Sequence, residues 1–289
     1  GLMVGPCDPE RVRSRIVFSA LDSAAAGDLE PLFARAGRYV LSNAKNFRME
    51  PDVPLVIPEV NASHLGLLAV QRARRGWSGG IVTNANCAAT VAALALAPLH
   101  EAFGARRVFA TTMQAVSGAG YPGVASLDIL GNVLPFIADE EAKIEREMQK
   151  LLGRLEDEGV SPAPFRVSAH ANRVAVEHGH TVCLSIEFQD KPPVAEAIAA
   201  LRAWTGCDVV RGLPTAPERA VRVMDEPDRP QPRRDVAAGR GMTVSVGRVR
   251  EDPLLHIKLV AMGHNTVRGA AGGSLLNAEL LVGMGLLTT

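Results

Sequence analysis

Hydrophobic positions switch between two spacings along the chain. Runs rich in Val, Ile and Leu at 15–21, 39–44, 55–60 and 80–84 read as strands. They alternate with helix-spaced stretches at 25–36 and 63–75, the first with Leu29, Leu32 and Phe33 on one face. That alternation predicts a parallel sheet with both faces covered. The pattern changes after Cys87. A long apolar helix over 88–103 leads to a strand at 107–116, and a charged helix is expected over 139–156. Ile144, Met148, Leu151 and Leu155 form its buried stripe. Strands at 165–176 and 181–188, a helix at 193–204, and strands near 242–250 and 255–262 follow. The tight EDPL link makes that last pair antiparallel. Residues 211–241, rich in Pro, Arg and Asp, read as a long surface loop, and a closing helix is expected over about 271–287. The whole is an α/β chain: a parallel α/β domain, then an α+β domain with a mainly antiparallel sheet.

Composition narrows the function classes. With 31 basic and 31 acidic side chains in 289 residues, the chain lacks the basic footprint of a nucleic-acid or acidic-membrane binder. No apolar run reaches the roughly 20 residues that cross a bilayer. Four cysteines in a chain this long make no disulfide framework, so a reducing, cytoplasmic setting is the default and single thiols become candidates for chemistry. The opening stretch GLMVGPCDPERVRSR reads as loop, where a self-standing nucleotide-binding chain begins with a strand and a glycine-rich turn. The start of the chain therefore looks cut.

Four stretches could carry chemistry. In TNANCAAT (83–90) a strand hands over to a helix at Cys87. The helix dipole and free backbone N–H groups there favour a thiolate and could hold an oxyanion. Cys87 could equally be a small packing residue, with Asn86 as an ordinary cap. In NRVAVEHGHT (172–181), His178 or His180 could serve a nucleophilic thiol, or either could be a satisfied strand-end residue. A metal site with Cys183 is a weak reading, because ligands at familiar spacings are lacking, and no metal is expected. GAGYPG (118–123) matches G-x-G-x-x-G but holds Pro122 and lies after the parallel domain, so it is no primary dinucleotide fingerprint. In SNAKNFR (42–48), Arg48 could clamp an anion at a strand's C-terminal end. Glu140 and Lys143, at i and i+3, read on their own as a solvated salt-bridge face.

Taken in order, SNAKNFR (42–48), VPLVIPEVN (53–61), TNANCAAT (83–90), TMQAVSGAGYPG (112–123), NRVAVEHGHT (172–181) and HNTVRGAAGGSLLNAEL (264–280) resemble the aspartate-semialdehyde dehydrogenase family, in the branch typical of archaea and fungi. The resemblance implies an incomplete Rossmann-like parallel sheet domain plus an α+β catalytic and dimerisation domain. It places the NADP-binding part at 1–86, completed by a C-terminal helix within 265–289, and the catalytic and oligomerisation part at 87–264. It implies reductive dephosphorylation of L-aspartyl-4-phosphate by NADP(H), through a thioester on Cys87, in the biosynthesis of lysine (by way of diaminopimelate), methionine and threonine. His180 would be the acid/base partner and Gln114 would order the site. Arg173 would hold the substrate α-carboxylate and Glu140 its amino group. Arg48, Asn86 and Lys143 would surround the phosphate. Ser19, Ser23, Asn43, Ser117, Gly118 and Asn265 would lie against the cofactor. A homodimer or homotetramer is implied.

The chain departs from the family pattern in three places. No G-A-T-G-x-x-G-like loop precedes Arg15, which implies roughly 60–70 absent residues, about two βα units. Asp22 stands where proline is usual, and His178 where an aspartate is usual before G-H-T. Two other readings compete. An acyl-CoA reductase of the malonyl-CoA type would put CoA in place of phosphate. A non-catalytic fragment would keep only oligomer contacts, with an exposed sheet edge.

Overall fold

Four short strands, β1 (Ile16–Ser19), β2 (Tyr39–Ser42), β3 (Leu55–Val56) and β4 (Gly80–Asn84), pair in the order β1-β2-β4-β3, and every pair is parallel. The structure is a computed structural model describing residues 3–287, so the readings at 1–2 and 288–289 lie outside the described residues. Helices α1 (Ser23–Arg35), α2 (Pro58–Asn61) and α3 (Leu67–Arg75) connect the strands. Asp22, at the departure noted above, caps α1 by accepting from Ala24 and Ala25 N–H at 2.9 and 3.0 Å. The expected strand over 55–60 is shorter: Pro58 starts a helix after Val56. β1 is an edge strand, with Phe18 49% exposed.

Helix α4 (Cys87–Phe103) runs through the centre and is buried all round from Ala88 to Leu99. An alanine-rich, uniformly apolar helix can do this because neighbours approach it on every side. After it come β5 (Ala105–Gln114), α5 (Ser126–Ile129), β6 (Val133–Leu134), α6 (Glu140–Leu151), β7 (Arg154–Glu156), β8 (Gly159–Ser161), β9 (Arg166–Val174), β10 (His180–Phe188), α7 (Val194–Ala203), β11 (Val221–Val223), α8 (Pro232–Asp235), β12 (Val244–Glu251) and β13 (Ile257–Gly263). A seven-stranded sheet orders as β11-β12-β13-β10-β5-β9-β6. Four of its pairs are antiparallel, while β11–β12 and β5–β9 are parallel. The side chains of one face pack on α4, α6 and α7. The other face shows the outward half of the strand alternation, with Phe109 41% exposed.

Two sequence expectations need correction. The charged helix stops at Leu151, not 156; Gly153 leads into the β7–β8 hairpin, which carries Leu155 away from the stripe of Ile144, Met148 and Leu151. The 211–241 stretch is not wholly surface loop. Val221 is buried in β11, an added edge strand, and Ala220 and Met224, on either side of that strand, are buried too. Three apolar positions among polar neighbours were enough to join the sheet.

A π turn (Val267–Ala271) leads into the closing helix α9 (Gly272–Gly283). Leu276, Leu280 and Leu281 bury against Tyr39, Leu41 and Val82 of the parallel sheet. A polar seam pins the helix there: Asn84 Nδ2 donates to Asn43 Oδ1 at 2.8 Å and to Ser274 Oγ at 2.5 Å, and Asn277 Nδ2 donates to Asn84 Oδ1 at 2.6 Å. Among the described residues no helix is long and apolar enough to cross a membrane.

Candidate active site

The parallel strands end where α4 begins, and a cleft of about 750 Å³ opens there. Asn86 sits at its floor because β4 must turn into α4. Its Oδ1 caps the helix, accepting from Ala88 and Ala89 N–H at 2.9 and 3.0 Å. Its Nδ2 is then free to donate to Glu140 Oε1 at 2.8 Å. The cap and the site contact are thus two ends of one carboxamide.

Cys87 follows, with its Sγ 3.1 Å from His180 Nε2. His180 is the first residue of β10 and fully buried. Ala115 N–H donates to His180 Nδ1 at 3.1 Å. A neutral imidazole that accepts at Nδ1 must carry its proton on Nε2, so Nε2–H points at the sulfur. His178, two residues earlier, lies before the positive-φ Gly179 and meets Ser117 Oγ at 3.0 Å instead. That parts the two histidines and leaves no shared site with Cys183. Among the described residues no group of three His, Cys, Asp or Glu side chains is arranged to hold a metal.

The helix-dipole expectation for Cys87 fails. Burial pushes its thiol up to about 12, and the Glu140 carboxylate adds to the rise; Arg48, Ala88 N–H and Arg173 oppose it. Burial also drives His180 down to about 3, helped by Arg173 and His264. The resting pair is therefore a neutral thiol beside a neutral imidazole. Thiolate grows with pH below the thiol pKa. Alkylation of Cys87 by iodoacetamide should rise about tenfold per pH unit from pH 6 to 9. A plateau below pH 8, followed on the Cys87 peptide by mass spectrometry, would contradict this.

Around the sulfur, Glu140 is the hub. It is 5% exposed, at the first turn of α6. Its Oε1 accepts from Asn86 Nδ2 and from Gln114 Nε2 at 2.9 Å, and its Oε2 meets Lys143 Nζ at 3.3 Å. The solvated-face reading of Glu140 and Lys143 is corrected: their helix face is turned into the cleft. Arg173, 6% exposed near the end of β9, donates from Nη1 to Ala115 O at 2.8 Å. Arg48 is buried and also lines the cleft, as do Lys143, Ser23, Asn43 and Gly118. A Cβ on Gly118 would come within 2.9 Å of both Arg173 Nη1 and His180 Cε1, so only glycine lets this turn lie over the two side chains.

Other sequence candidates stand further out. Ser117 Oγ receives Asn265 Nδ2 at 2.9 Å, and Asn265 Oδ1 accepts from Gly179 N–H at 2.9 Å, so both order the turn on the far side of His180. Ser19 is 5% exposed, its hydroxyl buried beside the Glu30 carboxyl. The sequence reading missed Lys45, which lines the cleft mouth and pairs with Asp139 at 2.8 Å; its place in SNAKNFR next to Arg48 was the available signal. Glu147 and Lys150, also missed, are buried in line with Glu140 and Lys143.

Residues 96–268 match the family profile "Semialdehyde dehydrogenase, dimerisation domain" and residues 2–68 match "Semialdehyde dehydrogenase, NAD binding domain". Aspartate-semialdehyde dehydrogenase of Archaeoglobus fulgidus is 52% identical over 277 residues, 96% of this chain and 79% of that protein. That of Cryptococcus neoformans is 46% identical over 299 residues, 99% of this chain and 82% of that protein. The Candida albicans enzyme, solved with NADP, superposes with a TM-score of 0.89 at 41% identity, over 99% of this chain and 83% of that one. Aspartate semialdehyde dehydrogenase II of Vibrio cholerae, complexed with ASA, gives 0.76 at 27% identity, over 93% and 79%. The chain therefore belongs to the aspartate-semialdehyde dehydrogenase family, a family of oxidoreductases.

Proposed function

We propose that the chain carries the catalytic centre for NADP-dependent reductive dephosphorylation of L-aspartyl-4-phosphate to aspartate 4-semialdehyde, by way of a thioester on Cys87. The observation that carries the reading is the 3.1 Å approach of Cys87 Sγ to His180 Nε2 at the floor of a cleft lined by three arginine and lysine side chains besides Lys45. Arg48 and Lys143 neutralise the phosphate, with Asn86 beside them. Arg173 holds the α-carboxylate through its planar fork and Glu140 takes the amino group. Gln114 keeps Glu140 turned inward. The Cys87 thiol gives its proton to the departing phosphate, and the sulfur bonds to the acyl carbon as the bond from that carbon to the phosphate oxygen breaks. His180, carrying its proton on Nε2, stabilises charge first on sulfur and then on the oxygen of the tetrahedral adduct. With a hydride that NADPH would supply, the thioester carbon would become a second tetrahedral adduct, whose carbon–sulfur bond then breaks to return the thiolate and free the aldehyde.

The cleft fits a nicotinamide cofactor at its reactive end. The 117–120 turn comes so close to Arg173 and His180 that a Cβ at Gly118 would fill the space. Ser117, Gly118 and Asn265 would hold that end, and Ser23, the first residue of α1, and Asn43, just after β2, the nucleotide side. NADP(H), when bound, supplies or accepts the hydride. We assign the nucleotide-binding unit to 1–86 with the C-terminal helix of 265–289, and the catalytic unit to 87–264. The open face of the seven-stranded sheet, with Phe109, is the surface for a homodimer or homotetramer. All four cysteines are free, which suits the cytoplasm. The product would feed lysine, methionine and threonine synthesis.

The test is a comparison of acceptors. With aspartate semialdehyde and NADP, NADPH formation should require inorganic phosphate and should not be supported by CoA. Turnover with CoA in place of phosphate would favour the acyl-CoA reductase reading.

A further inference from the structure

Helix α6 carries two more charged side chains behind Glu140 and Lys143, at the same helical spacing. Glu147 is 2% exposed and Lys150 6%. Neither faces water, and neither has a role in the chemistry above. Glu147 Oε1 accepts from Arg48 Nη1 at 3.0 Å, and Oε2 accepts from the Asn86 backbone N–H at 2.5 Å. Arg48 Nη2 donates to Asn43 O at 2.7 Å. Lys150 Nζ donates to the carbonyls of Arg48, Glu50 and Val53 at 2.7, 2.7 and 2.8 Å. One carboxylate thus bridges the arm that reaches for the anion and the Ala85–Asn86 peptide, one residue before the nucleophile.

We infer that Glu147 is a positioning residue for phosphate binding: it holds the Arg48 guanidinium toward the cleft and ties it to the Ala85–Asn86 peptide. This rests on the reading of Arg48 as a phosphate arm. A buried carboxylate costs free energy that an apolar residue of similar size would avoid, so its presence requires a partner that must be kept charged and aimed. Without it, Arg48 keeps its charge but can turn to Glu140, whose carboxylate shares the cleft wall. The anion site would then be self-neutralised. Lys150 works from the other side, fixing the carbonyls of the turn that carries Arg48.

The test uses the chain itself and inorganic phosphate. Iodoacetamide alkylation of Cys87 is followed on its own peptide by mass spectrometry while phosphate is titrated. Phosphate should protect Cys87. Arg48→Met should abolish protection. Glu147→Gln should weaken the protection constant about tenfold or more, with the rate in the absence of phosphate changed far less. In the Arg48→Met background, Glu147→Gln should add nothing. Should Glu147→Gln show no thermal transition, Glu147→Asp, which keeps the charge on a shorter arm, takes its place and should still weaken protection. A protection constant within twofold of the parent in the variant that folds, with Arg48→Met inactive in protection, would overturn the inference alone. Full protection in Arg48→Met would overturn the reading of Arg48 beneath it.

Discussion

Replacing Cys87 by alanine should reduce NADPH formation from aspartate semialdehyde, phosphate and NADP by about 10⁴-fold or more. The expected loss is large because the sulfur forms the bond that carries the acyl group, and no neighbour can replace it. His180, Glu140 and Asn86, which share the site, are held by hydrogen bonds of their own. The fold should barely change. Alanine is a strong helix former, and the α4 cap belongs to Asn86 rather than to Cys87. A thermal transition near the parent's, together with lost turnover, is the expected pair of results from absorbance kinetics and circular dichroism. Residual turnover within tenfold of the parent would move the nucleophile elsewhere.

The largest effect on stability should come from Glu59→Ala. Arg268 donates from Nη1 to Glu59 Oε1 at 2.7 Å and from Nη2 to Oε2 at 2.5 Å, and the two side chains are only 1% and 4% exposed. Removing the carboxylate strands a buried guanidinium, which costs about 3–5 kcal/mol. In a chain of this size that is roughly 5–10 °C of melting temperature. The effect should reach the site. The π turn held by Arg268 lays Gly269 so close to Cys87 that a Cβ there would stand 2.5 Å from the cysteine Cβ. Loosening that turn uncovers the thiol, so iodoacetamide should reach Cys87 faster in Glu59→Ala. Calorimetry that finds less than about 1 kcal/mol of loss would mean that water or Met242 O, 3.4 Å from Arg268 Nη1, already satisfies the arginine.

The sequence made the strand-to-helix handover at Cys87 legible, because the apolar run, the Asn cap and the alanine-rich helix are all local signals. The antiparallel pair β12–β13 was legible for the same reason, through its short connection. What escaped was whatever depends on which face of an element meets which distant neighbour. The charges of α6 repeat at the spacing of its apolar stripe, so Glu147 and Lys150 read the same whether that face is wet or dry. Only Arg48, 99 residues earlier, decides it. The thiol's acidity escaped likewise. The local argument weighs the helix terminus alone, whereas the buried setting beside Glu140 dominates. Leu155 fitted the helical period but belongs to a hairpin, since Gly153 and the DEG turn at 157–159 end the helix first.

The most direct measurement of the central claim is intact-protein and peptide mass spectrometry after mixing the chain with L-aspartyl-4-phosphate in the absence of NADPH. One aspartyl group should appear on the peptide holding Cys87, with one phosphate released per chain, and Cys87→Ala should give neither. Phosphate release with no adduct on that peptide, or an adduct on another side chain, would contradict thioester chemistry at Cys87.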